Sequence, residues 1–209
     1  MSDSGIKVAA FDIFNKFRDF IPWVSLDTFE VGGDTGYTVT IYGDRLVVLQ
    51  GGTANYDAWI KSASKWWGIL ETGTKTTIEI FLLSLLDVSA QNIWIRFAFT
   101  DLDPPSETDE HFGWKIIGAD LYASNADGTT QKITDTGVNL AAGDQRTRLR
   151  IVVNPGVDIK FYVNDVLKVT HTDNLPAETK LYFHIQVRTT TTGYRSVNLG
   201  RVLVEKEYA

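Results

Sequence analysis

The sequence predicts an all-β fold, a β-sandwich of two antiparallel sheets, and three observations predict it. Short runs alternate apolar and polar residues along most of the chain; in Asn92–Thr100, Ile93, Ile95, Phe97 and Phe99 alternate with Asn92, Trp94, Arg96 and Ala98. A period of two marks a strand with one buried face. Between such runs stand clusters such as Gly32-Gly33-Asp34-Thr35-Gly36 and Asn125-Ala126-Asp127-Gly128, whose residue types accept tight-turn conformations. No internal repeat or linker composition interrupts the 209 residues, so the strands belong to one domain.

The elements follow in order. Ile6–Ile21 admits two readings. Ile6, Ala10, Ile13, Phe14, Phe17 and Ile21 fit helical spacing, while an irregular first strand would use the same phenylalanines to plug the end of the sandwich. Residues 1–21 are therefore an N-terminal arm or first element, and 22–209 the sandwich. Trp23–Val31, Tyr37–Tyr42 and Arg45–Gln50 read as strands, and Gly51–Ser64 as a polar, aromatic-containing connection. Trp66–Leu70 reads as a short strand, Thr76–Leu83 and Phe112–Ala123 as clear ones, and Lys132–Leu140 as a weaker one. Asp101–His111 is an acidic loop carrying Pro104-Pro105. Arg148–Val153, the turn Asn154-Pro155-Gly156 and a hairpin follow, then Leu181–Arg188 and a last strand Val197–Glu205.

The hairpin is the clearest local signal. In Asp158–Pro176, Ile159, Phe161 and Val163 alternate with Lys160 and Tyr162, and Asn164-Asp165 supplies a two-residue turn. Val166–His171 runs back, and Pro176 closes the unit because proline cannot extend a central strand. A lone hairpin is marginal in water, so this one belongs to a larger sheet.

The run F-Y-V-N-D-V-L-K-V-T-H-T-D-N-L-P, the strand Leu181–Arg188 and the closing N-L-G-R-V-L-V-E resemble the concanavalin A-like lectin/glucanase and laminin G-like domains. The resemblance covers residue 22 to the end by pattern, with Asn-Asp where the family's hairpin has Asn-Gly. It implies a jelly-roll sandwich with one curved sheet. It leaves function open among lectins, glucanases, carbohydrate-binding modules and structural surface proteins.

Composition narrows that range. With 44% hydrophobic and 12% aromatic residues the chain can bury a full core. A net charge of -6 argues against a nucleic-acid partner, and Arg146, Arg148 and Arg150 alternate onto one solvated strand face. There is no cysteine, no apolar run long enough for a membrane span, and Met1–Gly5 lacks the features of a signal peptide.

Glycoside hydrolysis needs two carboxylates across the scissile bond. Glucanases that the chain resembles carry these as E-x-D-x-x-E on one strand, and the matching strand Phe112–Ile117 contains none. No histidine pairs by spacing with a serine and a carboxylate. The sequence therefore predicts no enzyme and no catalytic residue. It predicts no cofactor apart from a structural calcium ion, for which Asp101, Asp103 and Asp109 offer hard oxygen ligands. The candidate ligand-binding residues are Trp94 and Arg96 on one strand with Tyr182, His184, Gln186 and Arg188 on another, outward on the curved sheet if both strands lie in it. The leading reading is a structural subunit of a larger assembly, such as a virion surface or decoration protein, forming a homo-oligomer through protein contacts. The alternative is a carbohydrate-binding module or lectin, and a third, weaker one a diverged glycosidase.

Overall fold

The computed structural model describes residues 16–21, 29–42, 45–50, 53–63, 70–99 and 105–208. Among them there are fifteen strands and no helix: β1 (Lys16–Ile21), β2 (Phe29–Gly33), β3 (Thr38–Tyr42), β4 (Arg45–Gln50), β5 (Asp57–Ser62), β6 (Thr74–Leu85), β7 (Gln91–Ala98), β8 (His111–Ile117), β9 (Asp120–Ala126), β10 (Gln131–Asn139), β11 (Gly143–Asn154), β12 (Asp158–Val163), β13 (Val166–His171), β14 (Tyr182–Thr189) and β15 (Arg195–Tyr208). They form two antiparallel sheets. One has the order β13-β12-β11-β6-β15-β4-β3 with β1 added to β15, and the other β10-β9-β8-β7-β14-β5-β2. This is the jelly-roll sandwich that the sequence predicts.

The hairpin forms as read. Asn164 and Asp165 both have positive φ, 48° and 67°, the backbone twist that matches paired right-twisted strands. Asn164 Oδ1 also accepts the Arg148 amide at 2.9 Å, tying the turn to the next strand. Arg148 and Arg150 lie on the outer face of β11, where Asp165 pairs with both.

The helical reading of Ile6–Ile21 fails over its described part, Lys16–Ile21, which is strand β1; residues 6–15 lie outside the described residues. The reason lies in β15. β4 pairs only with Arg195–Leu199, and an irregularity between Leu199 and Val202 separates that half of β15 from the rest. β1 pairs with the same edge beyond the break, from Val202 to Glu207. An open edge of backbone N–H and C=O groups thus overrides helical spacing. The same break keeps Val197, Leu199, Val202 and Val204 all facing the core, because an extra residue resets the alternation.

Two further readings change. Phe112–Ala123 is two strands, β8 and β9, divided at Gly118, whose φ of 60° makes a tight reversal. The connection Gly51–Ser64 contains β5, whose alternation spans only six residues. The reading of Trp66–Leu70 as a strand falls mostly outside the described residues.

The core lies between the sheets. Ile78, Ile80, Leu82, Leu149, Ile151 and Phe161 of one sheet meet Ile93, Ile95, Phe97, Trp114 and Phe183 of the other, all of them buried. Trp114 meets Phe161 edge-on across the layer at 5.2 Å, a favoured geometry for opposed ring quadrupoles. This packing leaves the second face of every β7 and β14 residue pair pointing away from the core.

Candidate functional site

The candidate residues gather on that outer face of the seven-stranded sheet. β7 and β14 are neighbours, with Gln186 opposite Trp94, His184 opposite Arg96, Arg188 opposite Asn92 and Tyr182 opposite Ala98. All six sequence candidates therefore share one face. On the far side of β14, β5 sets Trp59 opposite Gln186, Lys61 opposite His184 and Asp57 opposite Arg188. β8 sets Lys115 opposite Trp94 and Gly113 opposite Arg96. Two cross-strand rows result: Gly32–Trp59–Gln186–Trp94–Lys115 and Glu30–Lys61–His184–Arg96–Gly113.

Outward does not mean open. The expected exposed patch is largely covered: Trp94 is 4% exposed, Arg96 1% and His184 0%. Over Arg96 and Lys115 the cover is the chain's own segment 105–110. Arg96 Nη1 donates to the Ser106 carbonyl at 3.1 Å and Nη2 to the Pro105 carbonyl at 2.6 Å. Lys115 Nζ pairs with Glu107 Oε1 at 2.6 Å. The segment follows as a consequence of charge: two cations turned outward from a sheet need acceptors, and a loop rich in carbonyls and carboxylates supplies them.

Trp94 sits between these cations. The Arg96 guanidinium is 4.5 Å from its ring centroid and the Lys115 ammonium 4.4 Å, a cation–π arrangement strengthened by desolvation. Burial lowers the Arg96 pKa to about 10, against the opposing charges of Asp109 and Glu107, so Arg96 remains charged at neutral pH. Gly113 completes the packing. A Cβ there would lie 2.5 Å from the Arg96 Cα and against the Ile95 carbonyl, so only glycine permits this approach of β8 to β7.

His111 closes one end of the covered region. Its Nδ1 bonds the Asp109 carbonyl at 2.7 Å and Nε2 the Ser124 hydroxyl at 2.9 Å, and its ring meets Trp94 edge-on. That pattern assigns the proton to Nδ1. Burial, with Arg96 and Lys115 nearby, holds its pKa down at about 3. His184 is pushed well below its usual value by burial and by Arg96 and Lys61. Among the described residues neither of its ring nitrogens has a hydrogen-bond partner, and the Nε of Arg96 opposite has none either.

Beyond the covered region the face opens around Trp59. This indole is half-buried and leans over Gly32, where a Cβ would lie 2.7 Å from Trp59 Cε2. It stacks beside His184 at 6.5 Å with 23° between the rings. Asp57 Oδ1 accepts a bond from Gln186 Nε2 at 3.0 Å, and Asp34 Oδ2 accepts the Asp57 amide at 2.8 Å. The Asp57 pKa is raised, first by burial and further by Asp34, against Gln186 and Arg188. The half-buried Tyr182 and the exposed Arg188 complete the open part.

Trp59, Asp57, Lys61 and Lys115 are members of this face that the sequence reading did not single out. The alternation of Asp57, Trp59 and Lys61 with Ala58 and Ile60 was the available signal. Of the calcium candidates, Asp109 accepts the Ser106 amide through Oδ2 at 2.7 Å, while Asp101 and Asp103 lie outside the described residues. Among the described residues no group of three or more acidic or histidine side chains is arranged to hold a metal ion.

No protein-family model matches the chain, and no curated protein does. Solved structures do. An endo-1,3-beta-glucanase from Streptomyces sioyaensis matches with a TM-score of 0.68 at 12% identity, over 96% of this chain and 100% of that one. The carbohydrate recognition domain of Emp46p in its metal-free form matches with a TM-score of 0.62 at 11% identity, over 86% and 88%. A sialidase matches with a TM-score of 0.58 at 9% identity, over 85% of this chain, which spans only 17% of the sialidase. At these identities the likeness establishes the fold, the concanavalin A-like jelly roll. It also overturns the expectation that the chain is no enzyme. The fold is shared with glycosidases as well as with a recognition domain, so the missing E-x-D-x-x-E pattern does not exclude catalysis.

Proposed function

We propose that the outer face of the seven-stranded sheet binds carbohydrate. The observation that carries this reading is the row Trp59–Gln186–Trp94, with half-buried Trp59 beside the polar groups of Asp57, Gln186 and Arg188. Sugars offer apolar C–H faces and hydroxyl edges, and a ring held against a sheet beside planar hydrogen-bonding groups complements both. The similar solved structures support it too: they are named as a carbohydrate recognition domain and glycosidases, which favours this reading over a virion or capsid subunit.

The test is a glycan array on the intact chain, followed by titration of the strongest ligand against the Trp59→Ala variant. Loss of stacking lowers affinity about tenfold. An array that stays blank, or a Trp59→Ala variant that binds as well as the parent, overturns the reading.

A second reading, glycoside hydrolysis, is favoured by one observation: the raised Asp57 pKa beside Asp34. A general acid in such hydrolysis needs a carboxyl that keeps its proton nearer neutrality. Release of reducing ends from a bound oligosaccharide, abolished in Asp57→Asn, supports it. A bound oligosaccharide left intact removes it.

A further inference from the structure

We infer that the glycan taken by this face is acidic, a polymer of sugars bearing carboxylates, and that Glu107 occupies the place of one such carboxylate. The inference rests on the carbohydrate-binding reading and names its ligand class.

The chain as a whole carries a charge of -6, yet the middle of this face has the opposite sign. The outward positions of β7, β14 and β8 are Asn92, Trp94, Arg96 and Ala98, then Tyr182, His184, Gln186 and Arg188, then His111, Gly113, Lys115 and Ile117. They hold three permanent cations and no carboxylate. Among the described residues the carboxylates around them stand at the margin: Glu30 on β2 beside Lys61, Asp57 on β5, Asp120 on β9 opposite Ile117, and Glu107 and Asp109 in segment 105–110. Glu107 is 58% exposed at its side chain while its partner Lys115 is 8% exposed. The cation is built into the floor, and its anion reaches in from solvent.

The interior of the site is also electrostatically unfinished. Among the described residues Arg96 has two backbone carbonyls as partners and no carboxylate within hydrogen-bonding distance. Its Nε and both nitrogens of the fully buried His184 are left without partners. The charges of Asp109 and Glu107 act on Arg96 only from a distance, and a buried charge with no carboxylate in contact is incompletely compensated. A carboxylate exchanging with Glu107 on Lys115 would enter beside Trp94, the ring on which Arg96 and Lys115 both rest. It would gain a charge-assisted bond to Lys115 and the field of Arg96. A neutral sugar gains neither and must leave Glu107 in place. The pyranose attached to such a carboxylate would extend toward Gln186 and Trp59 along the same row.

The experiment is isothermal titration of the intact chain at low ionic strength with galacturonate and mannuronate hexamers, against glucose and mannose hexamers. A uronate hexamer binding at least about tenfold tighter than any neutral one, and weakening with salt, is the expected result. Glu107→Gln, a change at an exposed side chain, tightens uronate binding about threefold or more relative to neutral-sugar binding by removing the competitor. Lys115→Met removes the preference, and Arg146→Gln on the opposite sheet does not.

Neutral hexamers that bind as tightly as uronates overturn the acidic-ligand inference and leave the carbohydrate reading standing. Binding of neither class overturns both. Uronate binding that survives in Lys115→Met and ignores Glu107→Gln is general charge attraction, and overturns the inference as well.

Discussion

The sharpest consequence of the structure concerns acid. The chain has three histidines, and all three are buried, 0% exposed at His111 and His184 and 1% at His171. Each is held neutral. Burial is the first cause throughout, assisted by Arg96 and Lys115 at His111, Lys132 at His171, and Arg96 and Lys61 at His184. The folded pKa is about 3 for His111 and about 4 for His171, and well below its ordinary 6.5 for His184. His171 resembles His111 in its bonding: Nε2 meets the Thr134 hydroxyl at 2.8 Å and Nδ1 the Asn125 side-chain oxygen. A histidine with a depressed folded pKa binds its proton only in the unfolded chain. Its contribution to stability is complete above pH 6.5 and is lost as pH falls below that value, down to the folded pKa.

Each such histidine loses about 1.4 kcal/mol per pH unit in that window, so pH 5.0 costs about 2 kcal/mol each for His111 and His171 and about 4 kcal/mol together, and His184 adds a loss in the same direction. Folded domains have only about 5–15 kcal/mol in hand, so the protein approaches unfolding near pH 5, before most carboxylates titrate. The assay is urea denaturation followed by tryptophan fluorescence at half-unit steps from pH 7.5 to 5.0. A fall of less than about 2 kcal/mol across that range, smaller than one histidine's share, would refute the assignment of three neutral buried imidazoles. His171→Gln should flatten the slope by one proton whatever it does to the absolute stability.

The other expectations are local. Gly113→Ala forces a Cβ against the Arg96 Cα and Ile95 carbonyl and lowers stability by about 2–3 kcal/mol, read from the denaturation midpoint. Asn164→Ala loses both a tolerated left-handed residue and the bond to the Arg148 amide, costing about 1–2 kcal/mol in the same assay. Trp114→Ala empties the contact between the sheets and costs about 3–5 kcal/mol; a near-neutral result would mean that the layers do not meet there. Gly32→Val displaces the Trp59 ring and lowers glycan affinity to the level of Trp59→Ala while the melting temperature falls only slightly, by direct titration and thermal scan.

The hairpin Asp158–Pro176 was legible to the residue because everything that forms it is local: the alternation, two turn residues at positive φ, and a closing proline. The same holds for the inward sets Ile93/Ile95/Phe97 and Phe183/Ile185/Val187. Local signals left helix and strand both open at Lys16–Ile21, where helical spacing is real and the edge of β15 settles the backbone as strand. They were too short at β5, whose six residues hid Trp59 inside an apparent connection. The six candidate residues were found by chemistry and alternation, and the pairing of β7 with β14 brings them onto one face.

The sequence by itself determined which side of the clearly alternating strands faces the core, because a period of two is a property of neighbouring residues. It also determined the absence of cysteine chemistry and the identity of the turns. Only the tertiary structure decided what lies over the other side. Trp94 and Arg96 point away from the core as read, yet segment 105–110 buries them through two carbonyls and the Glu107–Lys115 pair. Period-two alternation carries no information about a cover supplied by a distant part of the chain. The electrostatics of that cover, a marginal carboxylate over a cationic floor, arise only once β5, β14, β7 and β8 stand side by side.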